Sequence, residues 1–294
     1  MQSLQKQTGF NLVELVIVIV ISGILAGILS TFIARPVQGF IDLSRRATLV
    51  YSAESAMRRM QRDIRRALPN SIRVNAGNNA IEMINTVEGA RYRSAPPPGQ
   101  QARRLTFTSA DADFDVLGTL NTNGATSLRL AIYNIGAVDL DSDPVAGANA
   151  YAGPDIDGKN VVTPAGRTIT VSDAPVTANE DHINISGGGF HFSFDSPNDR
   201  VYLVDTGISY VCDGNQLIRY DNYNFTSTED DFAQPVPPAG DSALMADNIG
   251  ACTFTYEAGT VQRAGLMTLD LTISDPGTGE QVRLLHQVHV DNVP

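Results

Sequence analysis

Glu14 is the single charged residue in a run of twenty-five, Phe10 to Ala34, that is otherwise almost wholly aliphatic. A carboxylate inside an apolar helix costs up to about 2.5 to 3.5 kcal/mol to insert into a bilayer, so such a residue usually has a partner. The alternative is a glutamate that snorkels to the interface from one turn inside. Cys212 and Cys252 are the only cysteines, and each shares the apolar face of an alternating segment, the first with Ile208 and Tyr210, the second with Phe254 and Tyr256. They could meet across a sheet. In an oxidising compartment the pair would close a loop worth about 3 to 4 kcal/mol; in a reducing one they would be two buried thiols.

The other candidates offer less chemistry. Asp139, Asp141, Asp143, Asp155 and Asp157 crowd one loop region, and oxygen-rich clusters can hold calcium. The helix-loop-helix calcium pattern fails, because Pro144 stands where glycine is required and Ala150 where a bidentate glutamate belongs. A solvated acidic loop is the preferred reading. His286 and His289 point to opposite faces of one alternating run, and His182 and His191 are separated by a turn, so zinc is not expected. Ser186-Gly-Gly-Gly189 lacks the lysine of a phosphate loop, and no G-x-S-x-G elbow occurs. No residue set proposes catalysis, and no cofactor is expected.

These residues must be positioned by two kinds of element. The segment 10–34 would rise about 37 Å as a helix, enough for a hydrocarbon core of about 30 Å. It is too long for a secretory signal core, and Arg35-Pro36 follows where a small-residue cleavage site should lie, so it is expected to stay attached. Gly23 and Gly27 form a G-x-x-x-G that permits close helix approach. Beyond Pro36, Phe40, Leu43, Ala47, Val50, Met57, Met60, Ile64 and Ala67 recur mostly at threes and fours, the gap before Met57 being bridged by Ala53. Arg45, Arg46, Arg58, Arg59, Arg62, Arg65 and Arg66 lie mostly off that stripe, giving an amphipathic helix over 35–68 that Pro69 stops. Its basic face reads as solvated, or as a surface for acidic partner heads.

From residue 71 the period becomes two. Strands are expected at 80–86, 104–108, 127–133, 167–171, 182–186, 190–194, 200–205, 208–212, 216–220, 251–256, 265–274 and 280–290, the last pair joined by Asp275-Pro-Gly-Thr-Gly279. Residues 94–100 and 234–240 read as exposed Pro-rich loops. The fold class is therefore α+β, a long amino-terminal helix packed on a β-rich head over 69–294.

Charge divides the chain. Residues 1–73 hold ten Lys/Arg against four Asp/Glu, whereas 74–294 hold eleven against twenty-eight. A head this acidic would repel a phosphate backbone, so nucleic acid is not an expected partner. Counting charges flanking the span would leave the head in the cytoplasm. Long domains translocate with little regard to charge, however, and the cysteine pair favours the periplasm.

Gly9-Phe10-Asn11-Leu12-Val13-Glu14-Leu15, at the mouth of the apolar run, resembles the cleavage and methylation motif of type IV prepilins and type II secretion pseudopilins. The resemblance implies a leader over 1–9, cut by prepilin peptidase between Gly9 and Phe10, and N-methylation of Phe10. It also implies that Glu14 pairs with the Phe10 ammonium of a neighbouring helix and sets the stagger between subunits. Expected partners are other minor and major pilins through the helix, the inner-membrane assembly platform, and membrane lipid before assembly. Ser196-Pro-Asn-Asp-Arg-Val-Tyr-Leu-Val-Asp205, Ser209-Tyr-Val-Cys212, Leu217-Ile-Arg-Tyr220 and Gln287-Val-His-Val-Asp-Asn-Val-Pro294 look like the MshO-type minor pilins of the mannose-sensitive haemagglutinin (MSHA) pilus. Those implications describe a non-enzymatic minor pilin, inserted in the inner membrane with a periplasmic head and then carried into a pilus near its tip. The J-type pseudopilin of type II secretion is the alternative, and a membrane-anchored periplasmic enzyme a remote one.

Overall fold

The computed structural model describes residues 11–95, 103–122, 125, 127–175, 178–225, 240–259, 264–292 and 294. Among these residues one helix, α1 (Leu12–Arg65), is followed by twelve strands: β1 (Arg73–Val74), β2 (Ala80–Tyr92), β3 (Asp113–Leu117), β4 (Arg129–Ala131), β5 (Ile169–Asp173), β6 (Glu180–Ile185), β7 (Arg200–Asp213), β8 (Gln216–Tyr223), β9 (Asp241–Ala246), β10 (Ile249–Glu257), β11 (Gly265–Ser274) and β12 (Gln281–Val290). The class is α+β, one long amino-terminal helix and a β-rich head with a curled sheet. Compact units comprise residues 1–51 and 52–294.

In the first unit, α1 opens at Asn11, whose carbonyl accepts the Leu15 amide at 3.1 Å. The helix continues through Pro36, which has no N–H to offer the carbonyl four residues earlier. The large apolar side chains from Leu12 to Phe40 are 50 to 78% exposed among the described residues. This is the one helix among the described residues long and apolar enough to cross a membrane.

In the second unit, the end of α1 buries Ala53, Ala56, Met57, Met60 and Ile64. The helix stops at Arg65, three residues before the position expected from Pro69. The Arg66 and Ala67 amides tighten onto Asp63 and Ile64 carbonyls, three residues back, and the Leu68 amide leaves for the Ile84 carbonyl of β2 at 2.8 Å. Strand pairing thus takes over the chain before proline can act.

Among the described residues every pairing of named strands is antiparallel. The larger sheet has nine strands in the order β5-β6-β3-β2-β7-β8-β9, with β1 on β2 and β4 on β7; β10-β11-β12 form a second sheet. Met267, Leu269, Leu271 and Ile273 of β11 are all buried, as their shared face predicted. The β11–β12 turn closes with the Asp275 amide on the Glu280 carbonyl at 2.7 Å, Gly279 being left-handed at φ 72°. Two expected strands, 200–205 and 208–212, are one: β7 runs through Gly207, where a side chain would strike the Tyr223 ring. β2 extends to Tyr92 because β7 pairs with it as far as Arg91.

Residues 104–108 form no strand; the Thr106 amide bonds instead to the Asp111 carboxylate at 2.8 Å. Residues 190–194 make only isolated bridges, Phe190 with Asp111 and Phe192 with Asn160. β1, β3 and β9 were not expected. Two aspartates in β3 and one in β9 lower local strand propensity, and pairing with neighbours overrides it.

Candidate functional site

Glu14 lies in the first turn of α1 and is exposed, with no hydrogen-bond or ion-pair partner among the described residues. Its expected partner Phe10, and the cleavage position Gly9, lie outside the described residues. Gly23 and Gly27 face open space: a Cβ built on either would meet nothing within 4 Å. The apolar half of α1 therefore presents an exposed carboxylate, and at Gly23 and Gly27 room for another helix to approach.

The other half of α1 is fastened to the head by a buried charge that the periodicity reading passed over. Asp63, 7% exposed, accepts from the Tyr210 hydroxyl at 2.7 Å and from Arg219 Nε at 2.9 Å, with Arg59 Nε at 3.4 Å. Burial, then the Asp63 charge, pushes the Tyr210 phenol well above its ordinary range. Burial opposes charge on Arg219, but its bonds to Asp221 and Asp63 outweigh that and hold the guanidinium charged. The signal was present, because Asp63 lies beside Met60 and Ile64 on the buried face, where an unpaired carboxylate would be costly.

Further polar clusters also hold strands rather than reactants. Glu82 accepts from Arg73 Nε at 2.5 Å and from the Tyr223 hydroxyl at 2.7 Å, and Arg73 stacks 3.9 Å from the centre of the Tyr151 ring. Asp115, fully buried, binds Arg103 and sits 2.8 Å from His182 Nδ1. His191 contacts the Phe107 carbonyl at 2.9 Å, and His286 contacts Gln61 of α1 at 3.0 Å. Gly187, Gly188 and Gly189 all have left-handed φ, and a side chain at Gly189 would collide with the Asp111 backbone. That explains the triple glycine without a phosphate.

Cys212 of β7 and Cys252 of β10 are joined, with Cα atoms 6.4 Å apart. They tie the nine-stranded sheet to the three-stranded one rather than meeting within a single sheet.

The acidic region is built from two turns of one design. Asp139 Oδ1 accepts the Asp141 and Asp143 amides at 2.9 and 3.0 Å, and Asp155 Oδ1 accepts the Asp157 and Lys159 amides at 2.9 and 2.8 Å. Each has a left-handed residue, Ser142 or Gly158, and each projects a fully exposed aliphatic side chain, Leu140 or Ile156. Asp139 and Asp155 thus act as turn acceptors. No group of three metal-binding side chains occurs among the described residues.

Residues 4–30 match the prokaryotic N-terminal methylation motif. No curated protein and no solved structure matches the chain. The motif supports a type IV pilin-like or pseudopilin protein and points to a structural role. It implies processing by prepilin peptidase and association with other pilins, and with the apolar helix behind it fits a membrane-anchored pilin.

Proposed function

We propose that this chain is a minor pilin of the MshO type, taking part in initiation, assembly or the tip of an MSHA-like type IV pilus. The observation that carries the pilin reading is a methylation motif over residues 4–30 opening directly into a 54-residue helix whose apolar half is uncovered. Residues 1–9 are the leader, 10–34 the membrane and filament-core segment, 35–68 the amphipathic basic segment, and 69–294 the head. Peptidase cuts between Gly9 and Phe10, Phe10 is methylated, and Glu14 pairs with the Phe10 ammonium of an adjacent subunit. Insertion precedes assembly, with the head in the periplasm. The size of the head, about four times the helix in residues, supports a place where few neighbours crowd it, near a tip. The same observation suits a J-type pseudopilin, because the motif match covers both classes.

Mass spectrometry of the protein taken from its native envelope tests this reading. A mature chain beginning at methylated Phe10 is expected, and a chain beginning at Met1 or beyond Arg35 would overturn it. Co-purifying subunits then separate a pilus from a secretion pseudopilus.

A further inference from the structure

The face of α1 opposite its buried residues carries Arg58, Arg62 and Arg65 at spacings of four and three, all exposed. Arg58 is occupied by Glu54 at 2.9 Å, and the neighbouring Arg66 donates to the Thr86 carbonyl at 3.3 Å. Arg62 and Arg65 have no ion-pair or hydrogen-bond partner among the described residues. Resting on the reading of the chain as a filament subunit, we propose that Arg62 and Arg65 dock the acidic head of an adjacent pilin-like subunit.

Charge complementarity identifies that occupant. A subunit added head-to-tail needs two different surfaces that fit each other, since each copy meets one neighbour with each. This chain has both signs: a basic helix, and a head over 74–294 with twenty-eight acidic against eleven basic residues. The head also shows what the opposing surface looks like chemically, two turns with exposed carboxylates at Asp141 and at Asp157, the latter 3.5 Å from Lys159 Nζ, beside the apolar tips Leu140 and Ile156. Every cation of α1 is arginine, whose planar fork grips carboxylates bidentately and is easily desolvated at an interface.

Anionic lipid is the competing partner for a basic helix that follows an apolar span. Its attraction fades within about 8 Å at physiological salt. Arg35, directly after the span, lies close enough along the helix to suit headgroups. Arg62 is 28 residues beyond Ala34, about 42 Å of helical rise, which leaves it and Arg65 to a protein.

The test uses the full chain in its own cells, with the amount in sheared filaments measured against the total. Arg62→Glu with Arg65→Glu is expected to lower incorporation about tenfold, as two reversed contacts of roughly 0.7 kcal/mol each would. Arg62→Lys with Arg65→Lys is expected to stay near the parent. A photo-crosslinking residue at position 62 should join the chain to an acidic head peptide of another subunit, a result that does not depend on the reversed variant folding. Adducts only with lipid or only within one molecule would overturn the proposal. If Glu14→Leu abolishes incorporation while the arginine reversal leaves it at the parental level, this proposal falls and the filament reading stands. A parent that is never found in filaments sinks both.

Discussion

Two stretches of a single helix, residues 12–34 and 52–65, meet opposite fates. In the first the side chains are apolar all round, so no rotation of the helix could hide them on one core. In the second, apolar residues at threes and fours are buried to within 1% of complete, and even a carboxylate, Asp63, is taken inside. The amphipathic stretch finds its complement in its own head. The uniformly apolar stretch has to find one elsewhere, in lipid or in other helices, and its single charge has to be answered there too.

The largest effects should fall on opposite properties in the two stretches. Glu14→Leu is expected to leave thermal stability and the disulfide unchanged yet reduce filament incorporation at least tenfold, because the partner proposed for it, the Phe10 ammonium, lies on another molecule. Glu14→Gln, which keeps size and polarity but not charge, should behave likewise. Counting the subunit in sheared filaments checks this, and assembly at the parental level by both variants would return Glu14 to a snorkelling residue. Loss of the protein from the membrane would assign it to insertion.

Asp63→Ala reverses the pattern. Removing this carboxylate strands the Arg219 and Tyr210 donors inside the head, a change that typically costs about 3 to 5 kcal/mol. The chain should still be cut and inserted, since the motif and span are untouched, but its head should unfold at markedly lower denaturant. An unchanged unfolding midpoint would mean that the helix is held by Met57, Met60 and Ile64 alone.

Next in size is the tie between sheets. Cys212→Ser with Cys252→Ser should lower stability by about 3 to 4 kcal/mol, the chain-entropy value for a bridge separated by 40 residues. Thiol labelling of the denatured parent without reductant should find no free cysteine. Because the bridge joins β7 to β10, hydrogen exchange in the double variant should rise most in β10–β12; a uniform rise would mean that the two sheets open together.

What could be read beforehand follows the same division. The apolar helix and the β11–β12 hairpin were legible because their signals are local: composition for one, strict alternation and a Pro-Gly turn for the other. The end of α1 was not, since it is set by the Leu68 amide finding Ile84. Nor was the length of β2, which depends on β7 more than a hundred residues away. Alternation told that Cys212 and Cys252 face a core, but a period of two names a face and not a partner strand, so their placement on separate sheets was hidden. Asp63 was visible as a charge on an apolar stripe; that Tyr210 and Arg219 answer it was not, as both come from distant strands. At the amino terminus the motif speaks through Gly9, Phe10 and Glu14 without needing the head at all.

The smallest effect belongs to an exposed pair in the three-stranded sheet. Arg283 of β12 reaches Asp270 of β11 with Nε at 2.9 Å, and this hydrogen bond, against a small burial penalty, holds the Asp270 carboxyl below its ordinary value. A folded-state value below the unfolded one means that the pair adds stability above about pH 4, where the unfolded carboxylate is already charged. That contribution is lost as the pH falls through the folded value and Asp270 takes up a proton. Arg283 is largely exposed, so solvent and salt screen the pair. Asp270→Asn should therefore shift the unfolding midpoint only slightly at pH 7, less in 1 M salt, and not at all once the parent's Asp270 is protonated in acid. Comparing the two proteins across pH 7 to pH 2 makes the sign visible even when the size is small. A deficit that persists undiminished at pH 2 would show that Asp270 acts through the shape of its hydrogen bonds and not through its charge, and that even the exposed side of this sheet is held by packing.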